Sequence, residues 1–595
     1  MNQIMWNPKY EKMQSSQMMI FMNFVNNRFD ICLENYNDLY KWSIEKTAEY
    51  WECFWDYSDI IHHKSYSHVV DDIDQMPGAK WFEGATLNFA ENLLRYRDNK
   101  VAITFYNEDA NQISMTYDKL YNEVARISAY LRKIGIKKND RVAGFMPNIP
   151  ETIVAMLATS SIGAIWSSCS PDFGIKGVLD RFSQIEPKVI FTASGYQYNG
   201  RYIDCLEKLQ NILSDLPSVE KTVIVPFIKD SDSVSIKDSL LWNDFIDSKL
   251  DNFYFEKLPF NHPLYIMYSS GTTGLPKSIV HSAGGTLVQH LKELRLHTDL
   301  RRDDSIFYFT TCGWMMWNWL VSSLAVGATV VLYDGNPFHP DGTTLLKMAD
   351  KSGITVFGTS AKYIASLESA GIKPKTISTF PKLRTILSTG SPLSGKNYDF
   401  VYNYWKEDVQ LSSISGGTDI ISCFALGNPI LPVNRGELQC RGLGMKVESF
   451  NEKGESVYGC KGELVCTKAF PSMPIYFWND KNNKKYNAAY FETFPGIWHH
   501  GDYIKINNQG GVKIYGRSDT TLNPGGVRIG TAEIYQAVER FTEIKDSLVI
   551  GQPWGNDERI VLFVIMEENF QLTNELTLRI VQYLREFCSP RHVPE

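Results

Sequence analysis

The alternation of apolar and polar positions along the chain predicts strands and helices that follow one another in turn. Val101–Tyr106 alternates as a strand, and Leu120, Val124, Ile127 and Leu131 then recur at helical spacing. Further runs of strand length stand at Arg141–Met146, Ala164–Ser168, Val189–Ala193, Thr329–Leu332 and Thr385–Thr389. Strands that alternate with helices indicate largely parallel sheets with helices on their faces, an α/β fold.

The pattern changes along the chain in a way that predicts three parts. Residues 1–100 are rich in aromatic side chains at helical spacing and are expected to form a cap. Residues 101–516 are expected to form the core domain, in which shorter, glycine-rich strands from Arg435 onward make a small β-rich subdomain. Residues 517–595 read as a small α+β unit. A chain of 595 residues is too long for a single hydrophobic core, so a division is expected.

Composition narrows the class of protein. A net charge of −7 lacks the basic excess that nucleic-acid binding requires, and no apolar run reaches the length needed to span a bilayer. The ten cysteines form no CxxC pair, which is typical of reduced thiols in a cytosol. We therefore expect a cytoplasmic enzyme with small-molecule partners, no nucleic acid and no membrane. The oligomeric state stays open.

The segment Tyr268–Lys277, with the sequence YSSGTTGLPK, concentrates hydroxyls, glycines and one cation between two predicted strands. Glycines let the backbone approach anionic oxygens, so such a loop suits a polyphosphate. It is not a Walker loop, because Leu275 and Pro276 separate Gly274 from the lysine. The predicted phosphate ligands are Ser269, Ser270, Gly271, Thr272, Thr273, Gly274 and Lys277.

Three further segments fit a nucleotide site. In Ser415–Asp419 the glycines admit a flat ligand, Thr418 can donate to phosphate, and Asp419 suits Mg²⁺. In His499–Asp502 the aspartate suits a pair of ribose hydroxyls. Loops at the carboxyl ends of predicted strands, where open α/β sheets bind ligands, include Gly390, Ser391 and Pro392. The last segment is Gly516–Ile534, with the sequence GRSDTTLNPGGVRIGTAEI.

These four segments, in this order, resemble the motifs of the adenylate-forming enzymes, which include acyl-CoA synthetases and luciferases. The resemblance implies ATP, Mg²⁺ and coenzyme A as ligands, and a small mobile C-terminal domain. It implies catalytic roles for Lys277, Thr418 and Asp419, with Asp419 also binding the metal, although most members carry glutamate there. It further implies nucleotide contacts from Arg517 and Arg528 and a hinge at Asp519.

The sequence outside these motifs resembles the acyl-CoA synthetases that activate acetoacetate. The segments that carry this resemblance are Met76–Phe82, Leu87–Arg95, His290–Glu293, Gly313–Trp319 and Tyr333–Gly335. Where similar acetate-specific enzymes place a tryptophan under the acyl group, this chain has Gly416, which would leave room for a longer acid. Gly416, Gly417 and Trp314 are therefore the predicted acyl pocket. The expected reaction joins acetoacetate to coenzyme A and releases AMP and pyrophosphate.

Two expectations concern coenzyme A and the end of the chain. Arg201 and Arg585 fall where similar enzymes hold the 3′-phosphate of coenzyme A. The resembled family also carries a lysine in a Gly-Lys motif that would lie beyond Glu595, so we expect the lid domain to be incomplete and these 595 residues to adenylate slowly. The alternatives are a ligase for another short acid such as butyrate, and a nucleotide- or acyl-CoA-binding protein with impaired adenylation.

Overall fold

The computed structural model describes residues 3–228, 236–245, 253–269, 275–519, 521–538, 540–555 and 557–595. Two large sheets dominate it. The first has seven strands, all parallel except an antiparallel edge strand. In spatial order its strands are Gln410–Ser413, Thr385–Thr389, Val356–Ser360, Ser305–Tyr308, Thr329–Asp334, Val101–Asn107 and Gln112–Thr116.

The second large sheet has eight strands, of which the first six in spatial order are parallel and the seventh runs antiparallel to both of its neighbours. Its strands are Ser239–Leu241, Lys221–Val225, Val189–Ala193, Arg141–Phe145, Ile165–Cys169, Pro263–Ser269, Lys277–Ser282 and Tyr476–Phe477. Parallel strands of this kind are buried on both faces and read as continuous apolar runs. The strand Val189–Ala193, buried throughout, is an example.

Smaller antiparallel sheets complete the chain. A four-stranded sheet consists of Val447–Phe450, Lys461–Cys466, Trp498–Ile506 and Val512–Arg517. A three-stranded sheet consists of Ser415–Gly417, Ser422–Leu426 and Cys440–Arg441. Short pairings join His62–Lys64 and Leu258–Pro259 to Thr86–Leu87, His68–Val70 to Trp81–Glu83, Gly195–Tyr198 to Arg201–Asp204, and Ile4–Trp6 to Val433–Asn434.

The helices cover the large sheets. The α-helices span Tyr10–Ser15, Gln17–Phe29, Tyr36–Glu45, Thr47–Tyr57, Phe89–Leu93, Tyr117–Lys133, Pro150–Ser161, Ile175–Ile185, Leu206–Ser214, Ala283–Leu291, Met315–Val321, Thr344–Lys351, Ala361–Ser369, Gly395–Phe400, Lys484–Tyr490, Thr531–Val538 and Asn574–Phe587. Two of them continue as π-helical segments, Lys292–His297 and Val401–Trp405. Short 3₁₀ turns lie at Trp242–Phe245, Ser322–Ala325, Pro374–Thr376, Lys481–Asn483, Pro524–Gly526 and Pro590–His592.

The aromatic N-terminal region packs into the body of the molecule. Trp51 and Phe54 belong to the same buried cluster as Trp319 and Leu443. The Tyr40 hydroxyl donates to the carbonyl oxygen of Met445 at 3.0 Å. The helices of this region therefore share one hydrophobic core with the large sheets.

The C-terminal part has a core of its own. Twelve buried residues between Leu522 and Cys588 form a separate cluster. It lies between the helices Thr531–Val538 and Asn574–Phe587 and a two-stranded antiparallel hairpin, Ile544–Trp554 with Asp557–Met566. Among its buried members are Ile534, Ile560 and Leu584.

The α/β class predicted from the pattern is confirmed. The strands Val189–Ala193 and Thr385–Thr389 have the predicted bounds, and the helix carrying Leu120 and Leu131 spans Tyr117–Lys133. Within the part of the chain that the structure describes, no helix combines the length and apolar character needed to cross a membrane.

Candidate active site

A cleft of about 750 Å³ lies where the carboxyl ends of strands from both large sheets face the C-terminal part of the chain. Many of the sequence-predicted residues line it together. They are Ser269, Trp314, Gly390, Ser391, Pro392, Gly416, Gly417, Thr418, Asp502, Arg517 and Arg528. Residues from three widely separated parts of the sequence thus meet at one cavity, as expected for ligands bound at the ends of parallel strands.

Asp419 is the point where the charges of this region converge. Its carboxylate accepts hydrogen bonds from Lys277 Nζ at 3.2 Å and from the Tyr490 hydroxyl at 2.6 Å, both on Oδ1. Oδ2 accepts from Arg528 Nη1. The Asp419 side chain is only 2% exposed, so these bonds are largely shielded from water. Two cations that are 251 residues apart in the sequence therefore share one buried carboxylate.

The electrostatics of Asp419 follow from this arrangement. Burial opposes its ionisation, but the positive charges of Arg528 and Lys277 outweigh burial and hold the pKa of the carboxyl well below its ordinary value. Asp419 is consequently ionised across the physiological pH range. Of the two cations Arg528 lines the cleft, so an anionic ligand there would find a guanidinium already held in place by this carboxylate.

Tyr490 is a site residue that the sequence did not reveal. It lies at the end of the helix Lys484–Tyr490, and its ring stacks on Trp498 with centroids 3.9 Å apart. The Lys277 ammonium lies 5.2 Å from the same ring. Because Tyr490 is 71 residues from Asp419 in sequence, no local pattern links the two. The stacking fixes the ring and thereby the hydroxyl that reaches Asp419.

Asp502 and Arg517 face each other across two antiparallel strands, Trp498–Ile506 and Val512–Arg517. Arg517 Nη1 donates to Asp502 Oδ1 at 3.1 Å, and Arg517 Nε donates to Asp519 Oδ1 at 3.0 Å. Burial disfavours the guanidinium charge, but the two carboxylates outweigh it and raise the pKa of Arg517 further above its ordinary value. The predicted ribose ligand and the predicted hinge residue are thus joined through one arginine.

The predicted phosphate loop is described only in part. Ser270, Gly271, Thr272, Thr273 and Gly274 lie outside the described residues. Ser269 and Lys277, which flank them, face each other in the antiparallel strand pair. The Ser269 hydroxyl is buried at the cleft and has no hydrogen-bond partner among the residues that the structure describes. A buried hydroxyl of this kind is suited to a polar ligand that would satisfy it.

The loop Ser388–Leu393 meets the C-terminal part through two glycines. A Cβ at Gly526 would lie 2.6 Å from the Cα of Gly390, closer than any real side chain approaches. Asn523 Nδ2 also donates to the Gly390 carbonyl oxygen at 2.7 Å. The two segments therefore touch main chain to main chain at the edge of the cleft.

At the predicted acyl pocket, the structure gives Gly416 a different physical reason from the one proposed from sequence. A Cβ there would lie 2.0 Å from the carbonyl oxygen of Ser422, because the strand Ser422–Leu426 approaches Ser415–Gly417 closely around an irregularity in register. The neighbouring backbone thus requires glycine. Trp314 is partly buried and stands edge-on to Tyr308, with ring centroids 6.3 Å apart. The pocket roles of both residues stay predictions.

The two arginines predicted for coenzyme A are on the surface and do not line the cleft. Arg201 is exposed on the strand Arg201–Asp204, and Arg585 is exposed on the helix Asn574–Phe587. Two other arginines do line it, Arg181 and Arg591. Neither stands in a motif, so the sequence offered no signal for them. The roles of Arg201 and Arg585 stay predictions.

Asp334 is a further cleft residue; it lies in the segment Tyr333–Gly335, but the sequence assigned it no role. It ends the strand Thr329–Asp334, and its Oδ1 accepts from the backbone N–H of Asn148 at 2.9 Å. Burial, with the nearby charges of Asp172 and Glu108, raises the pKa of Asp334 to about 7. Its protonation therefore changes within the physiological range.

Comparison with known proteins gives a consistent picture. Residues 89–476 match the family described as AMP-binding enzyme, and residues 36–93 match the acetyl-coenzyme A synthetase N-terminus. The acetoacetyl-coenzyme A synthetase of Rhizobium meliloti (strain 1021) is 51% identical over 99% of this chain and 91% of its own length. The acetoacetyl-CoA synthetase of Xenopus tropicalis is 49% identical over 99% of this chain and 90% of its own.

A solved structure is also similar. Acetoacetyl-CoA synthetase from Streptomyces lividans superposes with a TM-score of 0.84 at 40% identity. The match covers 100% of this chain and 91% of that one.

Proposed function

We propose, since the chain belongs to the AMP-binding enzymes and among them to the acetoacetyl-CoA synthetases, that it joins acetoacetate to coenzyme A at the expense of ATP. The products are acetoacetyl-CoA, AMP and pyrophosphate. The observation that carries the proposal is the meeting of Lys277 and Arg528 on the buried Asp419 beside a cleft that two large sheets and the C-terminal part line together.

The first half-reaction is a displacement at the α-phosphorus of ATP. A carboxylate oxygen of acetoacetate forms a bond to phosphorus while the bond to the bridging oxygen breaks, and pyrophosphate leaves with its electron pair. Lys277 and Arg528 supply positive charge near the phosphates, and Thr418 supplies a hydroxyl donor. Charges that are already oriented stabilise the transition state without reorganisation.

The second half-reaction transfers the acyl group. The thiol of coenzyme A releases its proton to water, its sulfur forms a bond to the carbonyl carbon of the acyl-adenylate, and AMP leaves with the carbon–oxygen electron pair. Asp502 and Arg517 hold the ribose of the nucleotide through both steps. Main-chain groups of Gly390, Ser391 and Pro392 line the nucleotide, and Gly416, Gly417 and Trp314 enclose the acyl group.

Mg²⁺ fits the residues as an ion held jointly by the protein and by the phosphates of the substrate. The residues that the structure describes contain no cluster of three or more histidine, cysteine, aspartate or glutamate side chains placed for a metal. Mg²⁺ is commonly held by one or two carboxylates together with substrate phosphates and water, and Asp419 is such a carboxylate. When bound, the ion would neutralise phosphate charge.

The domain organisation belongs to the same proposal. Residues 1–100 form the cap, residues 101–516 the adenylate-forming core, and residues 517–595 the hinge and lid domain, with Asp519 as the hinge. The separate hydrophobic cluster between Leu522 and Cys588 supports a lid that moves as a unit. The location is the cytoplasm, which agrees with ten cysteines that are all described and all unpaired.

The test is AMP formation with a panel of short acids. We expect kcat/KM for acetoacetate to exceed that for acetate, butyrate and a branched acid by at least about tenfold, a free-energy difference of about 1.4 kcal/mol. A higher value for butyrate would replace acetoacetate as the substrate. ATP binding by calorimetry without AMP from any acid would favour a binding protein instead. Pyrophosphate release in the same assay measures whether adenylation is slow, which stays a prediction.

A further inference from the structure

The structure assigns a positioning role to two fully buried residues, His290 and Glu293, which hold the hairpin Gly417–Cys423 in place from behind. This hairpin carries Thr418 and Asp419 on its turn and presents Ser422 and Cys423 to the cleft. We infer that these two side chains fix the positions of Thr418 and Asp419 at the phosphate site and of Ser422 and Cys423 beside the predicted acyl pocket. The inference deepens the proposed function and rests on it only for its kinetic consequences.

The turn itself needs support because its backbone is strained. Ile421 has φ of +46°, a left-handed conformation that a β-branched residue rarely adopts. Within the turn the N–H groups of Ile420 and Ile421 donate to the carbonyl oxygens of Gly417 and Thr418 at 3.2 and 3.3 Å. A conformation of this cost persists only where surrounding groups hold it.

His290 is one of those groups. Its Nε2 lies 2.7 Å from the carbonyl oxygen of Ile421, and its Nδ1 lies 2.8 Å from the Ser322 hydroxyl. Because a carbonyl only accepts, Nε2 carries the proton and Nδ1 accepts from Ser322. Burial lowers the pKa of His290 to about 4, so the neutral ring keeps this tautomer at physiological pH. The hydrogen bond from His290 to the carbonyl oxygen of Ile421 thus holds this strained residue in place.

Glu293 accepts hydrogen bonds from the next two residues of the hairpin, Ser422 and Cys423. Its Oε1 accepts from the Ser422 hydroxyl at 2.5 Å and from the Cys423 N–H at 3.0 Å. Its Oε2 accepts from Trp319 Nε1 at 2.9 Å. Lys292, equally buried, lies 3.4 Å away and balances the carboxylate charge. Glu293 therefore makes three hydrogen bonds, two of them to residues whose other side lines the cleft.

The two side chains act together because of the helix that carries them. His290 lies near the end of the α-helix Ala283–Leu291, and Glu293 lies in the π-helical segment Lys292–His297 that continues it. Residues three apart lie on one helix face, and both point to the same hairpin. A π-helical turn inside an α-helix is frequent at functional sites. The same helix follows directly from the strand Lys277–Ser282, which supplies Lys277.

The variants separate positioning from simple stability. His290→Leu removes the donor to Ile421, and His290→Gln restores an N–H in a similar place. His297→Leu is the matched control, because His297 is equally buried in the same segment but contacts Gly427 and Leu443 instead. Ser422→Ala removes one bond to Glu293 without leaving a charge unpaired, so it tests Glu293 in a folded protein.

The first measurement is hydrogen–deuterium exchange in the free protein, which does not depend on the reaction. We expect His290→Leu to speed exchange of the amides of residues 418–423 at least about tenfold, and His290→Gln to recover most of the protection. His297→Leu should leave these amides unchanged. Equal exchange in wild type and His290→Leu, or the same effect from His297→Leu, would overturn the inference.

The second measurement is steady-state AMP formation. We expect His290→Leu to lower kcat about tenfold or more with the KM for the acid little changed, because Thr418 and Asp419 are displaced. We expect Ser422→Ala to raise the KM for the acid severalfold with the KM for ATP unchanged. If His290→Leu and Ser422→Ala changed kcat and both KM values in the same way, His290 and Glu293 would not have distinct roles. Absence of AMP in the wild type refutes the proposed function, while the exchange experiment still decides the role of His290.

Discussion

At the residue level the site is governed by one carboxylate and its three donors. Asp419 is buried, and Lys277, Tyr490 and Arg528 satisfy its oxygens. Hydrogen bonds to a charged group are stronger than neutral ones, and removal of one partner from a buried set is costly. The contribution of each donor can therefore be measured by removing it singly.

Tyr490→Phe removes one of these bonds without removing the ring that stacks on Trp498. We expect kcat/KM for ATP to fall about tenfold, since a hydrogen bond to a charged group contributes about 1.5–3 kcal/mol. The measurement is AMP formation over a range of ATP concentrations. Tyr486→Phe is the control, because Tyr486 is buried on the same helix but donates to the backbone of Pro474. Equal losses in both variants would rule out a specific role of the Tyr490–Asp419 bond.

The raised pKa of Asp334 predicts a pH-dependent stability. Its folded-state pKa of about 7 lies above the value of an unfolded aspartate, about 3.9. The stability that the neutral carboxyl contributes is therefore present at pH 4 and is lost as pH rises through 7. Asp334→Asn keeps an acceptor for Asn148 and carries no charge. The free energy of unfolding of this variant, measured by thermal unfolding, should thus rise relative to that of wild type by roughly 3 kcal/mol between pH 5 and pH 9, mostly below pH 7.

The control for this prediction is Asp341→Asn. Asp341 is exposed, and the Thr343 hydroxyl holds its pKa below the ordinary value. Its ionisation does not change between pH 5 and pH 9, so its variant should differ from wild type by a constant amount over that range. A constant difference for Asp334→Asn as well would show that Asp334 does not titrate there.

At the level of elements, the pattern of apolar and polar residues predicted the positions of individual strands and helices. The strands Val101–Asn107 and Thr329–Asp334 were predicted to within a few residues, because their apolar spacing is a property of each segment alone. The order of strands in the sheets was not predicted. Tyr490 and Glu293 could not be assigned either, because their roles depend on partners 71 and 129 residues away.

One contact between elements is unusually close. The N–H of Gly174, at the start of the helix Ile175–Ile185, donates to the carbonyl oxygen of Cys588 at 3.2 Å. A Cβ at Gly174 would lie 2.1 Å from the carbonyl oxygen of Glu586, and one at Gly177 would lie 3.1 Å from that of Cys588. The end of the helix Asn574–Phe587 thus rests on two glycines.

Gly174→Ala should therefore displace the C-terminal helix, whereas Gly177→Ala should need only a small adjustment. We expect hydrogen exchange of residues 584–588 to rise about tenfold or more in the first variant and about threefold or less in the second. The graded response follows from the two Cβ distances. Equal exchange in the two variants would mean that this contact does not hold the helix.

At the level of the whole molecule, side chains contribute to the contact between the C-terminal part and the body. Arg528 contacts Asp419, Asn523 contacts Gly390, and Lys362 pairs with Asp557 at 2.8 Å. The first of these is the least exposed, since the Asp419 side chain is 2% and the Arg528 side chain 20% accessible. Breaking a buried pair costs more than breaking an exposed one.

Arg528→Ala is accordingly expected to loosen the whole C-terminal part. Hydrogen exchange of Leu522–Ile529 and of Ser388–Leu393 should rise together by at least about tenfold, or about 1.4 kcal/mol. Arg540→Ala is the matched control, because the Arg540 guanidinium faces the ring of Phe587 within the C-terminal part itself. A rise confined to Leu522–Ile529, with Ser388–Leu393 unchanged, would show that Arg528 does not couple the two.

The contact between Gly390 and Gly526 limits which substitutions these two positions can accept. Each residue meets the other through main-chain atoms, so no side chain in one loop is available to shrink when the other acquires a methyl group. Neither position can therefore be compensated by a smaller side chain at its partner: a methyl group at Gly526 would lie 2.6 Å from the Gly390 Cα and require backbone movement, and one at Gly390 would lie 3.1 Å from the Gly526 Cα and require a smaller shift.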